Sequence, residues 1–173
     1  MLFKRKNVLN IYCDMDGVLA DFNAQENAVE RFASEKGFFQ KLAPLPNNVN
    51  AIRLLNQLKN VRVFILSASP NRKADHDKKV WLKTYLPELE SDQIIIMRNG
   101  KKKVNYMKTD DGVLLDDYGK NLQEWTDGNL LNRAVKITQD GDIMKVLKMT
   151  FLPSGQTETR RETESQGADG KVF

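Results

Sequence analysis

V-L-N-I-Y-C-D-M-D-G, Val8 to Gly17, joins a short apolar run to two aspartates one residue apart and then a glycine. The run Val8 to Cys13 reads as a β-strand, which places Asp14 and Asp16 at its carboxyl end. Side chains two apart on an extended chain point the same way, so both carboxylates can face one small volume. That is unfavourable unless a cation lies between them. Gly17 allows the chain to turn tightly, and the amides after Asp14 could line an oxyanion pocket. An EF-hand loop is excluded, because its fifth and twelfth positions would be Val18 and Gln25. A D-x-D metal site of the kind found in sugar-nucleotide transferases and a simple polar turn both stay open.

Outward from this stretch, short β-type runs alternate with helical patterns. A helix-rich segment from about Asn23 to Lys36 precedes P-N-N-V-N-A-I-R-L-L-N-Q-L, in which Val49, Ile52, Leu55 and Leu58 fall on one helical stripe. Then come the strand run Val61 to Leu66, a helix through Val80, Trp81 and Tyr85, the runs Ile94 to Met97 and Gly112 to Leu115, and a helix around Leu122 to Trp125. A last strand, A-V-K-I-T, reaches the turn Q-D-G-D and is expected to return as I-M-K-V-L-K-M, a C-terminal β-hairpin. Continuous apolar strands alternating with helices indicate an α/β protein with a parallel, doubly wound sheet.

The chain has 173 residues, 40% hydrophobic and 29% charged, enough for one domain with a sizeable core. That domain is expected over 1–152. From Pro153 the composition turns polar, and 153–173 reads as a weakly ordered tail. A single cysteine excludes a disulfide framework, and no apolar run approaches the roughly 20 residues needed to span a bilayer. The start, M-L-F-K-R-K-N, does not read as a signal peptide. A cytoplasmic setting with no membrane association is expected. A net charge of +4 is compatible with an anionic partner without demanding one.

Ligands of such sheets bind beyond the carboxyl ends of the strands. The second strand ends in S-A-S-P, with Ser67 directly after V-F-I-L; the fourth ends in L-L-D-D, Asp116 and Asp117; between them lies N-G-K-K-K, Lys101 to Lys103. Singly, these features read as a helix cap, a turn and a solvated lysine run. Together at strand ends, the carboxylates, hydroxyl and ammonium make a metal and phosphate site.

In this order the motifs resemble the haloacid dehalogenase superfamily of phosphatases: D-x-D-G, a strand-terminal Ser or Thr, a Lys, and a D-D pair. More narrowly, D-M-D-G-V-L-A-D-F, G-F-F-Q-K-L-A-P-L-P, F-I-L-S-A-S-P and L-L-D-D-Y-G-K-N look like the 5′(3′)-deoxyribonucleotidase family. The resemblance extends from about Val8 to Trp125 and implies a Rossmann-like sheet with a small helical cap, about 22–46, inserted after the first strand. It implies Asp14 as the nucleophile that becomes an aspartyl phosphate and Asp16 as the acid and then the base. Mg2+ would be held by Asp14, the Asp16 carbonyl and one or both of Asp116 and Asp117. Phosphate would be bound by Ser67 with Ala68 beside it, or by Ser69, and by a lysine, Lys103 being preferred to Lys101 and Lys102. Phe38 and Phe39 fall where the family's cap offers rings to a nucleobase, the competing expectation being that they pack in the core. The expected activity is magnesium-dependent hydrolysis of the 5′-phosphate of nucleoside monophosphates. Another phosphomonoester, a nucleic-acid phosphate end, or a catalytically idle binding protein is the alternative. A small-molecule nucleotide is the expected partner and a homodimer is allowed. A nucleic-acid partner is not expected, because the K-R-K and K-K-K runs lack interleaved aromatics. His76, the single histidine, is read as part of an exposed helix face, and Cys13 as pointing into the core.

Overall fold

The computed structural model describes residues 8–138 and 141–151. Five strands, β1 (Leu9–Cys13), β2 (Val61–Ser69), β3 (Ile94–Arg98), β4 (Val113–Asp116) and β5 (Arg133–Lys136), form one sheet in the order β3-β2-β1-β4-β5. Every pairing is parallel, with Cys13 opposite Ile65 on one side and Leu115 on the other. The helices are α1 (Ala28–Arg31), α2 (Pro46–Asn56), α3 (Arg72–Tyr85), α4 (Gly119–Gly128) and α5 (Ile143–Phe151).

Strand alternation sends β1 side chains into two cores. Ile11 and Cys13 join Val63, Ile65 and Leu115 beneath α2, α3 and α5. Tyr12 goes the other way, stacking on Phe64 at 4.8 Å and meeting Trp125 of α4 at 5.0 Å. Both faces of the sheet are therefore covered, which is why its strands read as continuous apolar runs. Asp14 has the parity of Tyr12 and emerges between β1 and β4, where the strand order reverses.

Two expected elements differ. The C-terminal hairpin is a helix: Ile143 and Leu147, four apart, are buried, and Asp142 Oδ1 caps the first turn by accepting from the Met144 and Lys145 amides at 2.8 and 3.2 Å. Asn48 of α2 fixes its start, accepting from the Ile143 amide at 3.1 Å and donating to the Val18 carbonyl at 2.8 Å. The short run I-M-K-V-L-K-M fits both periods, and packing on α2 selects the helical one. The cap is also less helical than its sequence suggests. Between Asn23 and Lys36 only Ala28–Arg31 is α-helix, preceded by Asn27 at φ 51°. Phe22, Phe32, Phe38 and Phe39 instead gather the segment around an aromatic cluster. Three hydrogen bonds fasten it to α3: Asn71 to the Ala33 carbonyl, Gln40 to Asp77, and Trp81 to the Leu42 carbonyl. No helix among the described residues is long and apolar enough to cross a membrane. The tail expected at 153–173 lies outside the described residues.

Candidate active site

Asp14 leaves β1 with its amide bonded to the Leu115 carbonyl at 2.9 Å, which locks the strand end against β4. The chain then turns on itself: the amides of Leu19 and Ala20 donate to the Met15 carbonyl and that of Gly17 to the Ala20 carbonyl. Gly17 has φ +73°, and a Cβ there would lie 2.2 Å from Asp117 Oδ2, so both backbone and space demand glycine. Cys13 faces the opposite side, where burial pushes its thiol well above the ordinary range.

Two lysines divide the carboxylates. Lys103, at the start of a 3-10 turn (Lys103–Tyr106), is buried with its Nζ 2.8 Å from Asp14 Oδ1 and 2.6 Å from Asp116 Oδ2. Asp116 is held further by the Tyr118 amide at 2.9 Å and by Asn121. Burial, then the nearby Asp14 charge, raise Asp116 to about 6 despite Lys103. Asp117 is raised for the same two reasons and partly held down by a hydrogen bond from Asn23, the cap's first residues thus touching the site. For Lys103 burial works against the charge, but Asp14 and Asp116 outweigh it and raise its proton affinity.

On the other side stands Lys78 of α3, fully buried, whose Nζ donates to Asp16 Oδ2, to Ser67 Oγ at 2.9 Å and to the Ala68 carbonyl at 2.6 Å. Burial raises Asp16 while Lys78 opposes the rise. Ser67 faces this group; Ser69 instead donates to the Asn71 carbonyl at 3.0 Å in the turn into α3. Lys101 and Lys102 are exposed, leaving Lys103 as the lysine of that run inside the site.

Asp14, Asp116 and Asp117 each offer a carboxylate oxygen within 4.8 Å of the others. Asp14 Oδ1 and Asp16 Oδ1 are buried without a hydrogen-bond partner, the former meeting Lys103 only as an ion pair. Buried, mutually repelling hard oxygens fit a hard divalent cation, and this cluster could hold one. The Asp16 carboxylate is not part of it.

Phe38 and Phe39 are 2% and 1% exposed, so neither ring offers a free face to a base. The competing expectation describes them: both pack in the core, where four aromatic rings satisfy one another. The opening beside the site lies elsewhere, a cleft of about 340 Å³ shared by Ala68, Lys101, Lys103, Tyr118, Lys120 and Asn121. Sequence reasoning missed Lys78 by placing A-D-H-D-K-K on a solvated face; His76 is exposed, as expected, but Lys78 lies on the buried stripe Ala74, Lys78, Trp81, Leu82. That stripe was the available signal.

A parallel sheet carrying an aspartyl pair at its reversal point, faced by a strand-end serine, a lysine and a second aspartyl pair, defines a haloacid dehalogenase-like protein. Residues 23–138 match the model of the family described as 5′ nucleotidase, deoxy (Pyrimidine), cytosolic type C protein, and the chain belongs to that family. The matched stretch holds Ser67, Lys78, Lys103, Asp116 and Asp117 and begins after the Asp14–Gly17 turn. Among solved structures, the HAD domain of the effector protein Lem4 from Legionella pneumophila is similar over 83% of this chain and 95% of that one, at 15% identity and a TM-score of 0.49.

Proposed function

We propose that this chain is a magnesium-dependent phosphatase that removes the 5′-phosphate from deoxyribo- or ribonucleoside monophosphates. The observation that carries the reading is the meeting of Asp14 with Asp116, Asp117 and Lys103 at the sheet's reversal point. Family membership supports the nucleotidase part. The family's cytosolic type supports a cytoplasmic setting, and a single chain or a homodimer would serve equally.

In this mechanism an Asp14 carboxylate oxygen attacks phosphorus, forming an aspartyl phosphate as the bond to the nucleoside 5′ oxygen breaks. Asp16 gives its proton to the departing alkoxide; burial already raises its proton affinity. As a carboxylate it then takes a proton from water, whose oxygen attacks the aspartyl phosphate, releasing phosphate and restoring Asp14. Ser67 and Lys103 bind phosphoryl oxygens, with Ala68 beside them. A magnesium ion on Asp14, Asp116 and Asp117, with the Asp16 carbonyl as a further ligand, would supply charge neutralisation between carboxylate and phosphate.

One observation favours a second reading. Phe38 and Phe39 are buried, and a leaving group lodged in the cleft beside the site would meet Lys101 and Lys120, which suits a different phosphomonoester or a nucleic-acid phosphate end. Phosphate release from nucleoside monophosphates, glycerol phosphate and a 5′-phosphorylated oligonucleotide, with chelator or with added magnesium, tests both. Turnover of mononucleotides that stops in chelator and returns with magnesium supports the first reading. Preference for the oligonucleotide supports the second, and no release from any substrate refutes both.

A further inference from the structure

Among the described residues Tyr118 is the one aromatic side chain that is exposed, at 60%. Phe22, Phe32, Phe38 and Phe39 face one another, and Tyr12 stacks on Phe64. A lone ring in water is ordinary, and its place is what sets this one apart. Tyr118 directly follows Asp117. Its amide donates to Asp116 Oδ1 at 2.9 Å, and its carbonyl accepts from the Asn121 amide at 3.0 Å as α4 begins, so the backbone that carries the ring is tied to the carboxylate site.

The ring borders the cleft of about 340 Å³ whose lining includes Ala68, Lys103 and Asn121, residues that also surround the carboxylates. That volume falls within the range of small-molecule pockets, about 300–1,000 Å³. Lys101 lines the cleft from the loop after β3, and Lys120 from the first turn of α4. Lys103 already faces Asp14 and Asp116, but Lys101 is exposed and has no ion pair among the described residues. Lys120 meets Glu124, the acidic residue of the lining, at 4.0 Å with 69% of its side chain exposed, an arrangement that holds it weakly. Two ammonium groups thus remain for an anion other than the phosphoryl group at Asp14. By sequence the K-K-K run has no aromatic neighbour, but the fold supplies one from the turn after β4, so basic and aromatic groups interleave in space.

We propose that this cleft holds the leaving nucleoside of a substrate that carries a second phosphate, with the base stacked on Tyr118 and the second phosphate met by Lys101 and Lys120. The inference rests on the phosphatase reading and deepens it. The 5′-phosphate to be cleaved lies at Asp14. The next phosphate along, either the 3′-phosphate of a nucleoside bisphosphate or the first phosphodiester of a 5′-phosphorylated strand, reaches the two lysines. Every base has a face to stack, so this arrangement selects for the second phosphate more than for the base.

The test measures 5′-phosphate release, with magnesium, from thymidine 5′-monophosphate, thymidine 3′,5′-bisphosphate, a 5′-phosphorylated oligothymidylate and p-nitrophenyl phosphate, which has neither base nor second phosphate. At low salt kcat/KM should be about tenfold or more higher on the bisphosphate or the oligonucleotide than on the monophosphate, and the advantage should shrink as salt rises. Tyr118→Ala should lower kcat/KM on the three thymidine substrates about five- to a hundredfold beyond any change on p-nitrophenyl phosphate, and Tyr118→Phe, which keeps the ring, should not. Lys101→Ala combined with Lys120→Ala should remove the advantage of the second phosphate. Faster turnover of the oligonucleotide than of the bisphosphate identifies a strand end as the source, and the reverse identifies a free nucleotide. All three residues are exposed, so the variants should melt with the wild type. No advantage in the wild type, or a Tyr118→Ala loss equal on all four substrates, would overturn the proposal. A wild type that releases phosphate from none of the four sinks the phosphatase reading instead. Calorimetric titration with the bisphosphate then decides the cleft: binding that Tyr118→Ala weakens upholds it, and no binding, or binding indifferent to Tyr118, overturns it.

Discussion

Replacing Lys103 with methionine removes the ammonium that pairs with both Asp14 and Asp116 and leaves volume nearly unchanged. Lys103 is 3% exposed, Asp116 0% and Asp14 8%, so water cannot take over the ammonium's task. At 2.8 and 2.6 Å each pair amounts to about 6 kcal/mol at an effective dielectric of about 20, most of it offset by the desolvation of three charged groups. Removing one partner of a buried pair lowers stability by about 3–5 kcal/mol, because the remaining charge is left uncompensated. For a chain of this size that corresponds to a fall in Tm of about 6–20 °C.

The pH dependence fixes the cause. Asp116 already sits at about 6, raised chiefly by burial, so it binds protons more readily folded than unfolded, and its contribution to stability falls as pH rises through that value. Without Lys103 the Asp116 carboxylate rises further. The deficit of Lys103→Met should therefore be largest near pH 8 and shrink toward about pH 5, where Asp116 takes up a proton. Magnesium should shrink it at high pH, since a cation on Asp14 and Asp116 replaces the lost charge. Melts of both proteins across that range, with and without magnesium, supply the measurement. A deficit indifferent to pH and to magnesium would mean that Lys103 contributes packing alone.

Gly17→Ala places a Cβ 2.2 Å from Asp117 Oδ2 at a φ of +73°, so a backbone penalty of about 1–2 kcal/mol should accompany a displaced Asp117 and a weakened affinity for divalent cations. An unchanged cation dissociation constant by calorimetry would contradict it. Phe38→Ala should lower stability by about 3–5 kcal/mol as a core deletion, read by denaturant melts, and a fully stable variant would remove Phe38 from the core. Asp75 is held below the ordinary carboxylate range chiefly by its hydrogen bonds from Arg98, so its stabilisation is present above its unfolded value and lost as pH falls through the folded one. Asp75→Asn should accordingly melt earlier than wild type near neutrality and converge with it as pH falls below the ordinary aspartate range; an equal gap at both ends would refute the pairing.

The strand ends were legible in the sequence because a doubly covered sheet forces continuous apolar runs, and a polar residue that closes such a run is conspicuous. Asp14, Ser67 and Asp116 announce themselves in this way; the structure joins Asp14 to Asp116 through Lys103, and Ser67 to Asp16 through Lys78. The resemblance already favours Lys103 over its two neighbours; the 3-10 turn that folds it inward supplies a physical reason that no spacing in K-K-K reveals. The last helix was hidden for a different reason. A seven-residue run of two apolar residues, a lysine, two apolar residues, a lysine and a methionine satisfies both periods, and the contact with α2 through Asn48 is a long-range fact.

Lys78 marks the deeper limit. A charged residue on a helix is ordinarily solvated, and the stripe that Lys78 shares with Ala74, Trp81 and Leu82 is the one local hint against that expectation. What reverses that expectation is distributed over the chain: Asp16 and Ser67 from two strand ends supply acceptors, and Phe39 from the cap supplies the lid. The burial of Phe39 and the burial of Lys78 are one arrangement, since a ring facing a base could not also close over the ammonium. A cap segment bonded to Asn71, Asp77 and Trp81 is therefore held on the helix that carries Lys78. Substitutions in the cap that loosen those three bonds should then open Lys78 to water and lower the melting temperature, and an unchanged thermal melt would contradict the shared burial.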